Sequence, residues 1–598
     1  MRFKANSLIF WIKYPKVRML KFICSLSLFV VFLQSQDLKL NKYSSNKIES
    51  YENSFIQNDR YKFYFSNSGD IGGAGANVST YDGFPVIFIG GSWLSGYYSD
   101  TLFVNGQLIS SLNRDYLPGK AGSDPTSLNN KIYTVKTSDI PFGESWVNWI
   151  SAVELGAGYY DGDDDGVYSP VDKNLNGKWD PDEDKPEIFG DITSWFVAND
   201  GQPSNLRRFR EMFPLGIEIY YTIYAFPFSG IDALRNSVFF RLKVKNTGKY
   251  ADRLSGVILS FVLDADIGDY TDDYSGSDLE RKGVLTYNFG IDSEFGSNPP
   301  AVFSASFLNP HYYKPDVTFI DINSNGLYDE GVDTPLDSAY YKSGIDLPDK
   351  YIRGAANTEI KSTMNFLSSH PLHGDPVMAF QQRNFQKGLD KNGNIIDPCT
   401  WVMGTVTGVP CSEINPYFYL NGDPVTNTGW LCNYDSDQKM LFSTAEFDLF
   451  KDNPVELHGA IVFGRGSDHL NSIEVVRDNF DVVKDYFNSE PGFPLNIEDK
   501  NSIYTVKDYV LYQNYPNPVL TGKEQSISKF SFEIEREGTV SLKIFDITGN
   551  EILEIFDGQL QPGKHTFTVD FSDFTSGVYF YMFKSNGNRE IKKLTVIK

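Results

Sequence analysis

The sequence predicts a mainly β protein. It reads as a multi-domain β-sandwich-like body with acidic loop insertions and one late helix, followed by a C-terminal β-sandwich. Aromatic residues make up 15% of the chain, with 36 tyrosines and 46 phenylalanines. These residue types suit a pleated, half-buried surface. Apolar residues alternate with polar ones at period two in many short runs. Turn residues cut those runs at short, even intervals.

The length of 598 residues suggests two to four domains, each able to bury its own core. The net charge of −23 argues against nucleic acid, which needs a basic surface, and against an anionic membrane. It suits a secreted protein that binds cations.

At the N-terminus, Lys13, Lys16, Arg18 and Lys21 precede the apolar run Phe22–Leu33. That run is too short for a transmembrane helix, which takes about 20 residues, and fits a signal-peptide core. Residues 1–35 are therefore expected to be a signal peptide, with cleavage after Ser35 and Gln36 as the new N-terminus. Met19 is an alternative start. Cys24 has no lipobox-like small residues before it and would leave with the signal. Cys399, Cys411 and Cys432 remain, an odd count that permits one disulfide and one free thiol. Their spacing selects no pair and contains no CxxC metal element.

The secreted body is expected over 36–490. Strands are predicted at 61–65, 84–89, 101–104, 217–226, 238–244 and 257–263. Gly90–Gly96 reads as a turn carrying a core tryptophan, Trp93. Ile473, Val476, Phe480, Val483 and Phe487 recur at helical spacing, with Asn471 and Glu474 as the expected capping pair. A linker is expected at 491–506, before a tail domain over 507–598.

The chemistry-bearing stretches of the body are acidic. Asp161, Asp163 and Asp165 occupy positions 1, 3 and 5 of a calcium-type loop, with Gly166 at 6 and Asp172 at 12. Asp172 then opens a second loop, with Asn174, Asn176, Gly177, Asp180 and Glu183 at positions 3, 5, 6, 9 and 12. Calcium takes six to eight oxygens, and such odd-position side chains converge when a glycine permits the turn. A third copy, Asp321, Asn323, Asn325, Gly326 and Asp329, has no acid at position 12, although Asp333 follows one residue later. These stretches look like the calcium loops of EF-hand, dockerin and thrombospondin type 3 repeats. No flanking helix pair is evident, so the expectation is calcium-loop insertions at 161–184 and 321–333, with Asp172 shared between the first two loops. The opposing expectation is solvated acidic turns.

A fourth cluster, Asp264, Asp266 and Asp269 with Asp272, Asp273 and Asp278, follows an apolar strand. It reads as a cation site, a solvated loop or a carboxylate-lined cleft. No HExxH helix, GxSxG elbow or Walker loop is present. His370 and His373 make a weak metal pair, because Pro371 opposes the helix that would align them.

In the tail, Phe530, Phe532 and Ile534 alternate with polar residues. So do Val540, Leu542 and Ile544, then Phe567, Val569 and Phe571, then Val578, Phe580 and Met582. The motifs Gln513-Asn-Tyr-Pro-Asn-Pro518, Leu542–Gly549, Pro562–His565, Ser576–Phe580 and Lys592–Lys598 resemble, in order, the type A C-terminal sorting domain of the type IX (Por) secretion system. Val519 stands where that family usually has Phe. The resemblance implies an Ig-like β-sandwich sorting domain that works with the type IX secretion machinery of Bacteroidota-type bacteria and is usually removed. Trp195–Asp200, Pro214–Ile217, Asp264–Asn288, Gly422–Trp430 and Gly466–Ile473 resemble regions that precede such domains in secreted proteins of the same bacteria. That resemblance implies no activity.

Two functional classes remain for this secreted or cell-surface chain. The favoured one is a calcium-stabilised, non-enzymatic β-scaffold for adhesion or matrix, with surface glycan or matrix as a partner, no nucleic acid and no transmembrane segment. The alternative is an exported hydrolase acting on polysaccharide or protein.

Overall fold

The computed structural model describes residues 51–74, 77–107, 114–308, 310–345, 350–367, 370–451, 453–488, 509–512, 514, 516–517, 519–521, 526–534, 536–545, 551–585 and 588–597. The expected signal peptide and the expected linker lie outside them. Among the described residues the protein is mainly β, with 45% strand and 10% helix. It divides into two compact units, Met1–Leu495 and Asn496–Lys598.

The first unit is built on two large antiparallel sheets. One runs in the order Asn53–Gln57, Tyr61–Ser66, Asn77–Tyr81, Phe84–Tyr98, Arg253–Ala265, Gln438–Thr444, Ile360–Leu367. The other runs Asp273–Asp278, Gly283–Asn288, Val302–Leu308, Val455–Gly464, Ser237–Asn246, Ile217–Ala225, Ile192–Asn199, Leu117–Pro118. Period-two alternation supplies the inner faces. Leu259, Phe261 and Leu263 of one sheet share a core with Ile219, Tyr221, Phe240 and Leu242 of the other. Phe240 stacks on Phe261 with ring centroids 4.5 Å apart. This face-to-face packing is the β-sandwich arrangement.

Several strands run longer than their apolar signals. Phe84–Tyr98 continues straight through Gly90–Gly96, so the expected turn is instead the middle of a strand. The glycines serve close approach there: a Cβ on Gly90 would stand 2.7 Å from the Val262 carbonyl oxygen of the neighbouring strand. Trp93 is buried, as expected.

The helix His469–Asn488 covers the outer face of the second sheet. Ile473, Val476, Phe480, Val483 and Phe487 pack on Phe239, Leu285 and Val462. Its N-terminus differs from the expectation. Asp468 caps it, its carboxylate accepting the Leu470 and Asn471 amides at 3.0 and 2.9 Å. Asn471 lies inside the first turn and reaches back to the Ser467 amide at 3.0 Å. The helix starts earlier because Asp468 supplies the charged acceptor that the orphan amides need. It is not the only helix. Glu144–Leu155 covers another part of the second sheet through Trp149 and Ala152, and Ala379–Gln386 sits on the first sheet through Phe385. A disulfide joins Cys399 to Cys411, and Cys432 is free.

The second unit holds a three-stranded sheet, Tyr509–Leu511, Ile527–Ile534, Gly563–Asp570, and a five-stranded one, Val519–Leu520, Asn588–Ile597, Gly577–Ser585, Gly538–Phe545, Glu551–Leu560. Phe530, Phe532, Ile534, Val540, Leu542 and Ile544 line its core, as their alternation predicts. The strand Gly577–Ser585 takes the opposite register. Tyr579, Tyr581 and Phe583 are buried, while Val578, Phe580 and Met582 are only half-buried. Both faces of this strand are apolar, so period two alone could not select one.

Candidate metal centre

The acidic insertions grow out of two-residue ribbons. Tyr159–Tyr160 pairs antiparallel with Lys185–Pro186, and residues 161–184 rise between them. Phe319–Ile320 pairs with Thr334–Pro335, and residues 321–333 rise between those. Each opening aspartate follows its outgoing strand directly, and a carboxylate directly precedes each returning strand.

Three loops share one local geometry. The position-1 aspartate accepts the backbone amides of positions 5 and 6. Asp161 takes Asp165 and Gly166 at 3.2 and 2.8 Å, Asp172 takes Asn176 and Gly177 at 3.1 and 2.8 Å, and Asp321 takes Asn325 and Gly326 at 3.2 and 2.6 Å. Positions 4 and 6 are left-handed in all three: Asp164 and Gly166 at φ 57° and 76°, Leu175 and Gly177 at 60° and 73°, Ser324 and Gly326 at 58° and 81°. Glycine at position 6 adopts that conformation without steric cost.

A second carboxylate closes each loop by bridging the amides of positions 2 and 9. In the loop opened by Asp172 it is Glu183, which accepts Lys173 at 2.6 Å and Asp180 at 2.9 Å. In the loop opened by Asp321 it is Asp333, which accepts Ile322 at 2.9 Å and Asp329 at 2.8 Å. In the loop opened by Asp161 it is Asp184, which accepts Gly162 at 2.9 Å and Ser169 at 2.7 Å. Asp172 therefore does not close the first loop, contrary to the expectation of a shared ligand. The second loop is inserted inside the first, and both close at adjacent residues. The ribbon decides this, because Asp184 stands against its base and Asp172 does not. Glu183, Asp184 and Asp333 are all buried.

One carboxylate oxygen each from Asp161, Asp163 and Asp165 lies within 4.8 Å of the others. The side chains of Asn174 and Asn176 meet on Asp180, both at 2.7 Å, and those of Asn323 and Asn325 meet on Asp329 at 2.6 and 2.7 Å. Lys173 pairs with Asp163 at 3.0 Å and holds its carboxyl below the usual range. The donor set is all oxygen, of the kind calcium takes. Each carboxylate oxygen that accepts one amide keeps a second lone pair.

The fourth cluster is assembled differently from its sequence spacing. Asp264 and Asp266 converge with Asp437, one oxygen from each lying within 4.8 Å of the others. Asp269 does not join them. It accepts the Thr271 amide and hydroxyl at 3.1 and 2.7 Å and the Ser293 hydroxyl at 2.9 Å. Asp437 is remote in sequence and arrives because Asp264 is the cross-strand partner of Lys439. Burial pushes Asp264 well above the usual carboxylate range, with Lys439 opposing. Burial and then Asp437 raise Asp266 to about 7, again against Lys439. The rings of His370 and His373 lie 6.5 Å apart, and no metal-capable group of three among the described residues includes them.

In the tail, the entry motif is pinned to the domain it opens. Asn517 accepts the Thr595 amide at 2.9 Å and donates to the Lys593 carbonyl at 3.1 Å. The Asn514 amide donates to the Tyr581 hydroxyl at 2.9 Å, which in turn donates to the Tyr512 carbonyl at 3.0 Å. Val519 is fully buried where the family's Phe is expected. Residues 513–598 match the family model described as the secretion system C-terminal sorting domain. This tail is a type IX secretion sorting domain. The sorting domain directs the chain to the type IX secretion machinery and so to the cell surface or the extracellular space. No curated protein matches the chain. Among solved structures, a polysaccharide lyase is similar over 64% of this chain at 8% identity and a TM-score of 0.16. This chain covers 34% of that lyase. No helix among the described residues is long and apolar enough to cross a membrane.

Proposed function

We propose that the protein is an exported, calcium-stabilised β-scaffold that serves adhesion or matrix without catalysis of its own. The observation that carries this reading is the threefold repetition of one loop geometry. The same opening aspartate, the same left-handed positions and the same closing carboxylate recur on two ribbons. Solvated acidic turns have no reason to repeat two amide-bridging carboxylates each. In residues 161–184, nine carboxylates face only Lys173 and Lys178. Coordination turns that mutual repulsion into attraction. The test is direct titration of the chain with calcium: up to three ions per chain are expected in these loops, and variants of Asp161, Asp172 and Asp321 should lose them.

The alternative, an exported hydrolase, draws on Asp264, Asp266 and Asp437. Paired glycosidase carboxylates stand roughly 5–10 Å apart around the scissile bond. These three converge within 4.8 Å around a lysine, an arrangement closer to cation binding than to a substrate cleft. Release of reducing sugar or peptide by the chain, lost in D266N, would favour the hydrolase instead.

A further inference from the structure

We propose that Asp264, Asp266 and Asp437 hold one hard divalent cation at the end of the first large sheet, apart from the acidic loops. Asp264 lies near the end of the strand Arg253–Ala265, Asp266 follows that strand, and Asp437 precedes the strand Gln438–Thr444. The antiparallel pairing of these strands fixes the three carboxylates against one another. One oxygen from each falls within 4.8 Å of the others, a spacing that a single ion can bridge.

A second observation points to a ligand. The Asp264 side chain is only 7% exposed, and its Oδ1 has no hydrogen-bond partner among the described residues. A buried carboxylate oxygen normally has one. The nearest cationic group, the Lys439 ammonium, stands 3.8 Å away, beyond hydrogen-bond reach. Lys439 lies closer to Asp437, at 3.3 Å. Fully ionised, the three carboxylates and one ammonium carry two negative charges, which one divalent ion neutralises. Asp375 also acts on Asp264 and Lys439, but Arg208 and Lys391 face it. Carboxylate-only donors select a hard, oxygen-seeking cation over zinc or copper.

This proposal stands independently of the calcium reading, and its test separates the two. The full chain is dialysed against Mn²⁺, which takes the same oxygen donors and is counted by electron paramagnetic resonance. A D161N/D172N/D321N variant, weakened in the loops, is expected to keep one Mn²⁺ per chain. Adding D266N and D437N should weaken that last site at least tenfold. Both residues are half-buried, so these changes are milder than one at Asp264. If the loop variant binds no Mn²⁺, or if D266N and D437N leave its binding unchanged, the proposal is overturned. Anomalous scattering from Mn²⁺-soaked crystals of the unaltered chain decides the matter without any variant. A peak among the three carboxylates supports the site. A Lys439 ammonium hydrogen-bonded to Asp264 Oδ1, with no peak, refutes it.

Discussion

Glu183 and Asp184 are neighbours in the chain, yet they close different loops. Glu183 bridges Lys173 and Asp180, and Asp184 bridges Gly162 and Ser169. Their order makes the inner loop a passenger of the outer one. Asp184→Asn should therefore raise amide exchange at Gly162 and Ser169 first, and E183Q at Lys173 and Asp180. Each change weakens two hydrogen bonds to a charged acceptor, worth about 1.5–3 kcal/mol apiece. Exchange measured by NMR or mass spectrometry checks it. Equal effects of both variants at all four amides would argue against separate closure.

The loop at 321–333 provides the single-loop control. Asp333→Asn should free the Ile322 and Asp329 amides and expose this segment to proteolysis. Residues 161–184 sit on another ribbon and should keep their cleavage pattern. Cleavage rising in both segments would mean that the two insertions are coupled.

The buried histidines make acid destabilising below about pH 6.5, while burial of Asp115, Asp264, Asp266 and Asp273, which raises their carboxyls in the folded chain, acts in the opposite direction as pH falls. Burial, with Arg241 helping, holds His458 down at about 3, and burial holds His311 at about 4 against the pull of Glu456. Burial, His370 and Lys391 hold His373 at about 3. All three folded values lie below the unfolded 6.5, so the unfolded chain binds protons first. Their stabilising contribution is complete above pH 6.5 and is lost as pH falls toward 4 and then 3. Each adds a slope of about 1.4 kcal/mol per pH unit in that window. Against burial, Lys243 and Arg241 hold Glu456 down at about 2, so it adds its own loss only below about 4.5. Urea midpoints taken from pH 7 to 4 isolate the histidine share by difference: His311→Gln should lose less stability on acidification than the unaltered chain, by about one proton of slope, and an unchanged slope would contradict it.

The helix cap makes a sharper local prediction. Asp468→Ala removes the acceptor of two first-turn amides and should cost about 1 kcal/mol. Asn471→Ala should cost less, since it leaves Asp468 in place. Thermal unfolding of the two variants ranks them, and the reverse order would restore Asn471 as the cap.

Much of this fold is legible in the sequence because burial on one face leaves a period. Ile217–Ala225 and Arg253–Ala265 announce themselves through near-continuous apolar runs, and the helix through Ile473, Val476 and Phe480. The strand Gly577–Ser585 hides its register because Tyr579 and Phe580 are both plausible core residues. Gly90 and Gly91 mimic a turn, while their actual service is to let neighbouring chain segments come close. At the candidate sites, positions 1, 3, 5 and 6 are local and readable. Closure by Asp184 depends on a ribbon four residues in all, too short to leave a periodic signal. Asp437 joins Asp264 only through strand pairing, which spacing along the chain does not encode.

Calcium dependence of residues 161–184 tests the central claim most directly. Thermal unfolding and limited proteolysis are run on the secreted chain in millimolar calcium and in EGTA. Loops of extracellular type often bind only at around 0.1–1 mM. A ligand that binds the folded state alone adds RT ln(1 + [L]/Kd), about 2.7 kcal/mol at a hundredfold excess. The account predicts a higher melting temperature in calcium and cleavage within 161–184 only in EGTA. Identical melting and identical cleavage in the two conditions would contradict it.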